Sequence, residues 1–265
     1  MDYTIQYQDL DQNYRLRLYT LENYLLNSAG VIADQGGFGM RYLITQNCTW
    51  VLTNLSLEIS YLPTVDEVLT VETWVEKNVH MLSMRNYRLY VNGRLIGLVK
   101  SVWAIISIID RTAQNLFDRP PFLGIDHEET VEVAKAPRFN TLSPEQRQLL
   151  TDGVGHMPHR VVYSDIDYNG HCNSCKYLEL MLNACEPVAL KRQLPKTVEE
   201  AEQAALNHEG LRIDIKYAKE ICRDDNVDVF FLQHDNQIDY EIRTAEGDIS
   251  CQARIARQTN TNTQL

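Results

Sequence analysis

The feature that most constrains this chain is an internal repeat at an offset of 156 positions. Residues 7–13 (YQDLDQN) and 163–169 (YSDIDYN) share one order of aromatic, acidic, apolar and amide side chains without a gap. Such a repeat indicates two copies of one structural unit in a single chain. A chance likeness between two β-rich stretches is the alternative, and the ordered elements that follow each copy argue against it.

Each copy is followed by apolar residues at spacings of three and four, which mark one buried face of a helix. In the first copy these residues are Leu18, Leu21, Leu25 and Ala29. In the second copy they are Cys175, Leu178, Met181, Leu182 and Cys185. The second helix is predicted to begin near Asn173 or Ser174.

The same offset aligns two strands. Leu55, Leu57, Ile59 and Tyr61 alternate with polar residues, and residues 211–217 repeat the alternation, which predicts strands with one face on the core. Further strands are predicted at 68–75, 85–91 and 97–109, and at 227–234, 238–244 and 249–257. Asn92-Gly93 and Glu246-Gly247 are typical of tight turns between strands.

Each half therefore predicts a strand, a long helix and a run of antiparallel strands. One helix wrapped by one curved sheet buries both apolar faces, so the predicted class is α+β. We predict units at residues 1–135 and 159–265, joined by a proline-containing linker at 136–158. Ser143 and Pro144 would begin a short helix in this linker, and Gly153 would end it.

Composition excludes several classes of protein. The net charge is −11 and both halves are acidic, which disfavours binding to nucleic acid. The sequence lacks an apolar run of about 18 residues and a signal peptide, so we expect a cytoplasmic protein without a membrane span. Its six cysteines are then expected to be thiols in or near the core.

Polar side chains are dense in residues 164–173, between a strand predicted at 160–163 and the second helix. Asp167, Asn169 and His171 occupy alternate positions and could point the same way in an extended chain. The positive end of the helix could hold a carbonyl oxygen that gains negative charge. A helix cap combined with an Asx turn explains the same residues without catalysis.

Glu220 is a second candidate because it follows the strand at 211–217. A carboxylate at a strand end could position or activate water. A solvated charge beside Lys219 and Arg223 is the simpler interpretation.

Two motifs resemble those of the acyl-ACP thioesterases, which end fatty-acid synthesis in plants and have bacterial relatives. Asp167-x-Asn169-x-His171-x-Asn173-x-x-Lys176-Tyr177 resembles the family signature, and Tyr217-Ala218-Lys219-Glu220 resembles its second motif. Further family blocks are similar, in order, to segments 50–53, 61–64, 73–75 and 101–103. The resemblance covers nearly the whole chain.

The resemblance implies a double hotdog fold, with one hotdog unit in each repeat. It implies hydrolysis of fatty acyl-ACP to free fatty acid and holo-ACP, a step of fatty acid biosynthesis. Asp167, Asn169, His171 and Glu220 are the implied catalytic set: Glu220 and His171 activate or orient water, Asn169 fixes the water or the carbonyl, and Asp167 orients its neighbours. Neither a cofactor, a metal nor a covalent intermediate is implied.

Departures from the family pattern sharpen this expectation. Plant members carry a cysteine directly after the second-motif glutamate, where this chain has Ile221, and Cys222 lies one position late. Cys175 also replaces a family asparagine. At the repeat offset His171 corresponds to Arg15 and Glu220 to Thr64, so we predict one active site, in the second repeat. The first repeat, with its helix and the loop at 36–39, is expected to line the acyl pocket.

Four points stay open at this stage. His156-x-x-His159 and Cys172-x-x-Cys175 could hold zinc, although Cys175 lies on the apolar helix face. An acyl-CoA thioesterase and a non-enzymatic acyl-chain binding protein are the alternative functions. An acidic carrier protein needs a local basic patch, for which the candidates are Lys176, Lys191, Arg192 and Lys196, and a homodimer is compatible with the fold.

Overall fold

The computed structural model describes residues 1–258. Its first half begins with a short strand and a long helix, and the remaining strands follow. The elements are β1 (Asp2–Thr4), α1 (Leu18–Gln35), α2 (Met40–Thr45), β2 (Cys48–Ile59), β3 (Val68–Val79), β4 (Leu82–Val91) and β5 (Arg94–Ser107). A 3-10 turn at Tyr7–Asp9 separates β1 from α1, and two more follow β5 at Leu116–Asp118 and Pro120–Phe122.

The second half repeats this order after a linking helix. Its elements are α3 (Pro144–Asp152), β6 (His156–Arg160), α4 (Ser174–Ala184), α5 (Val188–Lys191), α6 (Val198–Leu206), β7 (Gly210–Tyr217), β8 (Asn226–Gln233), β9 (Gln237–Thr244) and β10 (Ile249–Gln258). A 3-10 turn at Tyr163–Asp165 precedes α4, and the starts of α1 and α4 keep the offset of the sequence repeat. The predicted repeat is thus confirmed.

Within residues 1–258 the strands form one ten-stranded antiparallel sheet in the order β1-β3-β4-β5-β2-β7-β10-β9-β8-β6. Each half contributes the same internal order, and the two halves meet where β2 pairs with β7. That pairing runs from Asn54 opposite Lys216 to Ile59 opposite Leu211. The predicted α+β double hotdog fold is confirmed, because each half wraps its sheet around one long helix.

The predicted helix faces form the core. Leu18, Leu21, Leu25 and Ala29 of α1 are buried in one cluster with Leu178 and Met181 of α4, and Cys175 of α4 is buried as well. Each buried leucine contributes roughly 1.5–3 kcal/mol relative to an exposed one. The division at 1–135, 136–158 and 159–265 stays a prediction.

Turns and caps follow local sequence. Asn92 and Gly93 both adopt positive φ, at 53° and 75°, as a type I′ turn between β4 and β5 requires. Ser143 caps α3 by accepting a hydrogen bond from the backbone of Gln146, whose side chain accepts one from Ser143 in return. Gly153 ends that helix as predicted.

The prediction of a strand at 160–163 is wrong. β6 ends at Arg160, and the chain then turns into the 3-10 turn at Tyr163–Asp165. The Asp165 carboxylate causes this turn because it accepts hydrogen bonds from the Val162 backbone (2.9 Å) and from His159 Nε2 (2.8 Å). β6 instead begins at His156, inside the predicted linker, and pairs with β8.

Strand β2 begins earlier than its alternating pattern predicted. It extends from Cys48, whereas Tyr61 lies beyond its end. A register shift between Leu52 and Asn54 interrupts the pairing with β5, and a bulge of this kind breaks the period-two pattern.

The six cysteines are free thiols, and four of them are buried as expected: Cys48, Cys172, Cys175 and Cys251. Cys222 is exposed, so the expectation fails there, because it lies in the turn that follows β7. Within residues 1–258 no helix combines the length and apolar character needed to cross a membrane.

Candidate active site

A cavity of about 840 Å³ lies between α1, the start of α4 and the β2–β7 junction. Its walls come from both halves of the chain. All four predicted catalytic residues line it: Asp167, Asn169, His171 and Glu220. The cavity therefore brings together residues from two separate sequence motifs.

Asp167 organises the segment that carries His171. One carboxylate oxygen accepts hydrogen bonds from the backbone N–H of Asn169 (2.8 Å) and of His171 (3.5 Å), and the Asp167 N–H donates to the His171 carbonyl (2.8 Å). Asn173 caps α4 by accepting from the Cys175 N–H. The Asx turn and the helix cap thus both form, alongside the convergence of side chains on the cavity.

His171 and Glu220 are brought together by backbone pairing between their segments. The Cys172 N–H donates to the Ile221 carbonyl at 2.8 Å, and His171 forms a β-bridge with Cys222. His171 Nε2 consequently lies 3.5 Å from Glu220 Oε2. An imidazole and a carboxylate this close together can act jointly as the base for one water molecule bound beside them.

The first half of the chain also reaches these groups. Thr49 of β2 donates to Asn169 Oδ1 at 3.4 Å, and Asn169 lines the cavity. Arg111, which follows β5, donates to Glu220 Oε2. No local pattern marked either residue in the sequence; Thr49 only precedes the family block at 50–53.

The first copy of the repeat forms the same Asx turn, but it has Arg15 and Thr64 at the positions of His171 and Glu220. Asp11 accepts from the backbone N–H of Asn13 (2.8 Å) and Arg15 (3.2 Å), as Asp167 does in the second copy. Arg15, at the position of His171, stacks its guanidinium 5.0 Å from the Tyr61 ring centre. Lys191 binds the other oxygen of Asp11.

Two family models match the chain. The acyl-ACP thioesterase N-terminal domain matches residues 1–119, and the acyl-ACP thioesterase C-terminal domain matches residues 154–201. Together they cover more than half of the chain. The chain belongs to the acyl-ACP thioesterase family. Asp167, Asn169 and His171 lie inside the second matched range, whereas Glu220 lies outside it and stays a prediction, 3.5 Å from His171.

Curated relatives are thioesterases of plant chloroplasts. An oleoyl-acyl carrier protein thioesterase of Coriandrum sativum is 25% identical over 79% of this chain and 55% of its own length. A palmitoyl-acyl carrier protein thioesterase of Gossypium hirsutum is 22% identical over 95% of this chain and 58% of its own. The chain thus spans about half the length of the curated relatives it matches.

Solved structures of the acyl-ACP thioesterase family share the fold over nearly the whole chain. An acyl-ACP thioesterase from Bacteroides thetaiotaomicron superposes with a TM-score of 0.79 at 26% identity, covering 97% of this chain and 96% of that one. A 12:0-ACP thioesterase from Umbellularia californica superposes with a TM-score of 0.76 at 14% identity, covering 97% and 96% of the two chains.

This member of the family has no residue with an activated thiol directly after Glu220. Ile221, where plant members have cysteine, is fully buried. The pKa of its neighbour Cys222 is raised by partial desolvation and by the nearby Asp225 and Glu220 carboxylates. Burial also raises the pKa of Cys172, which lines the cavity, to about 12. Because the thiolate is the nucleophilic form, these cysteines are poorly suited to attack a thioester.

The four zinc candidates do not converge. His156 Nε2 contacts Asp228 at 2.7 Å, and His159 Nε2 contacts Asp165 at 2.8 Å. Cys172 and Cys175 are buried with pKa values raised by desolvation. Among residues 1–258, no group of three or more histidine, cysteine or acidic side chains is arranged to hold a metal ion.

Residues of the first half line much of the cavity. Leu26, Ala29 and Ala33 of α1 line the cavity, and so do Phe38 and Gly39 of the glycine-containing loop. Strands β2 and β5 add a wall of larger side chains: Trp50, Leu52, Trp103 and Ile106.

Two of the basic residues considered for carrier binding are engaged in ion pairs. The Lys191 side chain is only 11% exposed and binds Asp11 and Glu186. Lys176 contacts Glu179 at 2.6 Å. Lys191 is therefore part of the packing between the halves and is a poor docking residue.

Glu22 of α1 is a buried carboxyl group beside the site that the sequence did not reveal. It accepts a 2.6 Å hydrogen bond from the hydroxyl of Tyr217, which lines the cavity. Burial raises the pKa of Glu22 to about 7, and the Tyr217 hydrogen bond only partly opposes that shift. Its second oxygen is buried without a hydrogen-bond partner among the described residues.

Proposed function

We propose that this chain hydrolyses fatty acyl-ACP to free fatty acid and holo-ACP. The observation that carries the proposal is the partly exposed His171–Glu220 pair, 3.5 Å apart, in a cavity that the first half lines with Leu26, Trp50 and Trp103 among other residues. The pair would act on the thioester while the first-half wall receives the acyl chain. Membership of the acyl-ACP thioesterase family supports the same reaction.

In this proposal Glu220 and His171 activate one water molecule. The water oxygen bonds to the thioester carbonyl carbon as its proton passes to the pair. The carbon–sulfur bond then breaks, and the departing thiolate takes up that proton. No covalent acyl-enzyme is needed, in keeping with the raised pKa values of Cys172 and Cys222.

Asn169 and the start of α4 would stabilise the negative oxygen of the intermediate. The Thr49 hydroxyl donates to Asn169 Oδ1, so the N–H₂ group of Asn169 would be the donor toward the thioester. Asn173 and Ser174, at the positive end of α4, also line the cavity. Donors fixed in this way act on the charge that develops in the transition state. Asp167 would orient Asn169 and His171, because its carboxylate accepts hydrogen bonds from the backbone N–H groups of both residues.

The decisive experiment measures thiol release from purified acyl-ACPs of graded chain length. We expect turnover, with release of free fatty acid and holo-ACP. The same acyl chain on CoA provides the comparison, and faster hydrolysis of acyl-CoA would replace the carrier assignment. Retention of the chain without thiol release would mean that the protein only binds acyl groups. The role in fatty acid biosynthesis, the cytoplasmic location and a homodimer stay predictions.

A further inference from the structure

Glu220 is held from outside its own repeat. Arg111, from the turn after β5, donates through Nη2 to Glu220 Oε2, the same oxygen that faces His171 Nε2 at 3.5 Å. Arg111 and Glu220 are 109 positions apart in the chain, and both line the cavity. The first half therefore contributes to the charged end of the cavity as well as to its apolar wall.

The turn that presents Arg111 is fixed by its own hydrogen bonds. Ser107 N–H donates to the Thr112 carbonyl at 2.9 Å, and the Arg111 N–H donates back to the Ser107 carbonyl at 3.1 Å. The Asp110 carboxylate accepts from both the N–H and the hydroxyl of Thr112. Arg111 itself adopts the left-handed backbone conformation, with φ of 61°, which is uncommon for a residue other than glycine.

Tyr177 fixes the backbone on either side of Glu220. Its hydroxyl donates to the Lys219 carbonyl at 3.3 Å and accepts from the Ile221 N–H at 3.2 Å. The Glu220 backbone is thus held by a buried phenol, while its carboxylate, 40% exposed, has Arg111 and His171 as neighbours. The remaining freedom of Glu220 lies in its side chain, which is the part that Arg111 binds.

The Arg111–Glu220 ion pair is too exposed to contribute much to the stability of the fold. The two side chains are 39% and 40% exposed, and exposed ion pairs add little to the free energy of unfolding because water screens them. We propose that Arg111 is a positioning residue that holds the Glu220 carboxylate against His171 and the thioester. This inference rests on the proposed hydrolysis. Arg111 acts through Glu220 and takes no part in proton transfer itself.

The test compares kcat and KM for one acyl-ACP in Arg111→Ala, Arg111→Lys and Glu220→Gln and in the double variant Arg111→Ala/Glu220→Gln. We expect Arg111→Ala to lower kcat about 10- to 100-fold with little change in KM, and guanidinium ions to restore part of the loss. In the Glu220→Gln background the arginine change should have little further effect. Arg111→Lys should retain more activity than Arg111→Ala, because it keeps the positive charge.

Arg94→Ala is the matched control. Arg94 forms an ion pair of similar exposure with Glu202, also between the halves, but lies outside the cavity. Its variant should keep the wild-type kcat, and both arginine variants should keep the wild-type melting temperature.

Three results would overturn the positioning role. An unchanged or higher kcat in Arg111→Ala would show that the arginine is dispensable or restrains Glu220. A rise in KM alone, in both backgrounds, would assign Arg111 to carrier binding. An unshifted His171 ring NMR signal in Arg111→Ala would show that Glu220 has not moved. Because that signal is read without turnover, an inactive wild-type protein would refute the proposed function while this readout still decides the positioning.

Discussion

The hydroxyl of Tyr217 donates a 2.6 Å hydrogen bond to Glu22, which joins α1 of the first half to β7 of the second beside the cavity. Glu22 is fully buried, and desolvation favours its neutral form. Its pKa of about 7 lies above the ordinary value of 4.5. The contact between the halves is therefore linked to a proton at physiological pH.

This linkage predicts how stability changes with pH. The pKa of Glu22 is 4.5 in the unfolded chain and about 7 in the folded protein. Its contribution to stability is therefore fully present below pH 4.5 and is lost as the pH rises toward 7. The loss amounts to about 3 kcal/mol. Glu22→Gln keeps an acceptor for Tyr217 and cannot ionise, so its free energy of unfolding, relative to wild type, should improve between pH 5 and pH 8.

Urea unfolding of both proteins across this pH range checks the prediction. Glu128→Gln, which alters an exposed carboxylate, provides the control and should follow the wild type. A constant difference between Glu22→Gln and wild type across the range would show that Glu22 does not change its protonation there.

The His171–Glu220 pair should be needed for turnover but not for folding. Both side chains are partly exposed, at 25% and 40%, so replacing either removes little buried contact. His171→Ala and Glu220→Gln should each lower kcat by about 100-fold or more, the usual contribution of general acid–base groups. Thiol release from acyl-ACP and thermal unfolding measure the two effects. His156→Ala breaks a histidine–aspartate pair outside the cavity and should leave kcat unchanged; full activity of His171→Ala would refute the mechanism.

Asp167 and Asp11 form the same Asx turn in the two copies of the repeat, but only the turn at Asp167 carries predicted catalytic residues. Asp167→Ala should lower kcat at least about tenfold, because the turn that carries Asn169 and His171 loses its acceptor. Asp167→Asn should keep most of the activity, since asparagine supplies the same acceptor. If Asp167→Asn loses as much activity as Asp167→Ala, the charge of the carboxylate takes part directly.

Asp11→Ala is the counterpart in the first copy. It leaves Lys191, a side chain only 11% exposed, without one of its two carboxylate partners. We expect a loss of about 1–3 kcal/mol in the free energy of unfolding with kcat unchanged. Kinetics and urea unfolding of the same preparation test both parts, and a large loss of kcat would mean that the first copy participates in turnover.

The first-half wall should set the acyl chain that fits. Trp103 and Ala29 line the cavity from β5 and α1. Trp103→Ala enlarges the space and should shift the preference toward longer acyl chains, whereas Ala29→Leu reduces it and should favour shorter ones. Relative kcat/KM values over acyl-ACPs of graded length provide the measurement. The same shift in both variants, or none in either, would place the acyl chain elsewhere.

The sequence by itself determined the repeated architecture and the composition of the active segment. Apolar spacing located α1 and α4, alternation located most strands, and Ser143-Pro144 and Asn92-Gly93 specified a cap and a turn. Each of these features depends on residues only a few positions apart, so the backbone preferences of the local sequence are enough to predict it. The strand at 160–163 was mispredicted because the Asp165 side chain, rather than apolar alternation, controls the chain there.

Only the tertiary structure decided which distant groups meet at the cavity. Arg111 reaches Glu220, Thr49 reaches Asn169, and Tyr217 reaches Glu22 across 109, 120 and 195 positions. No local pattern encodes such contacts, because they arise when β2 pairs with β7 and brings the two halves into one sheet. The sequence also could not show that Glu22 would be buried, and it is this burial that raises its pKa.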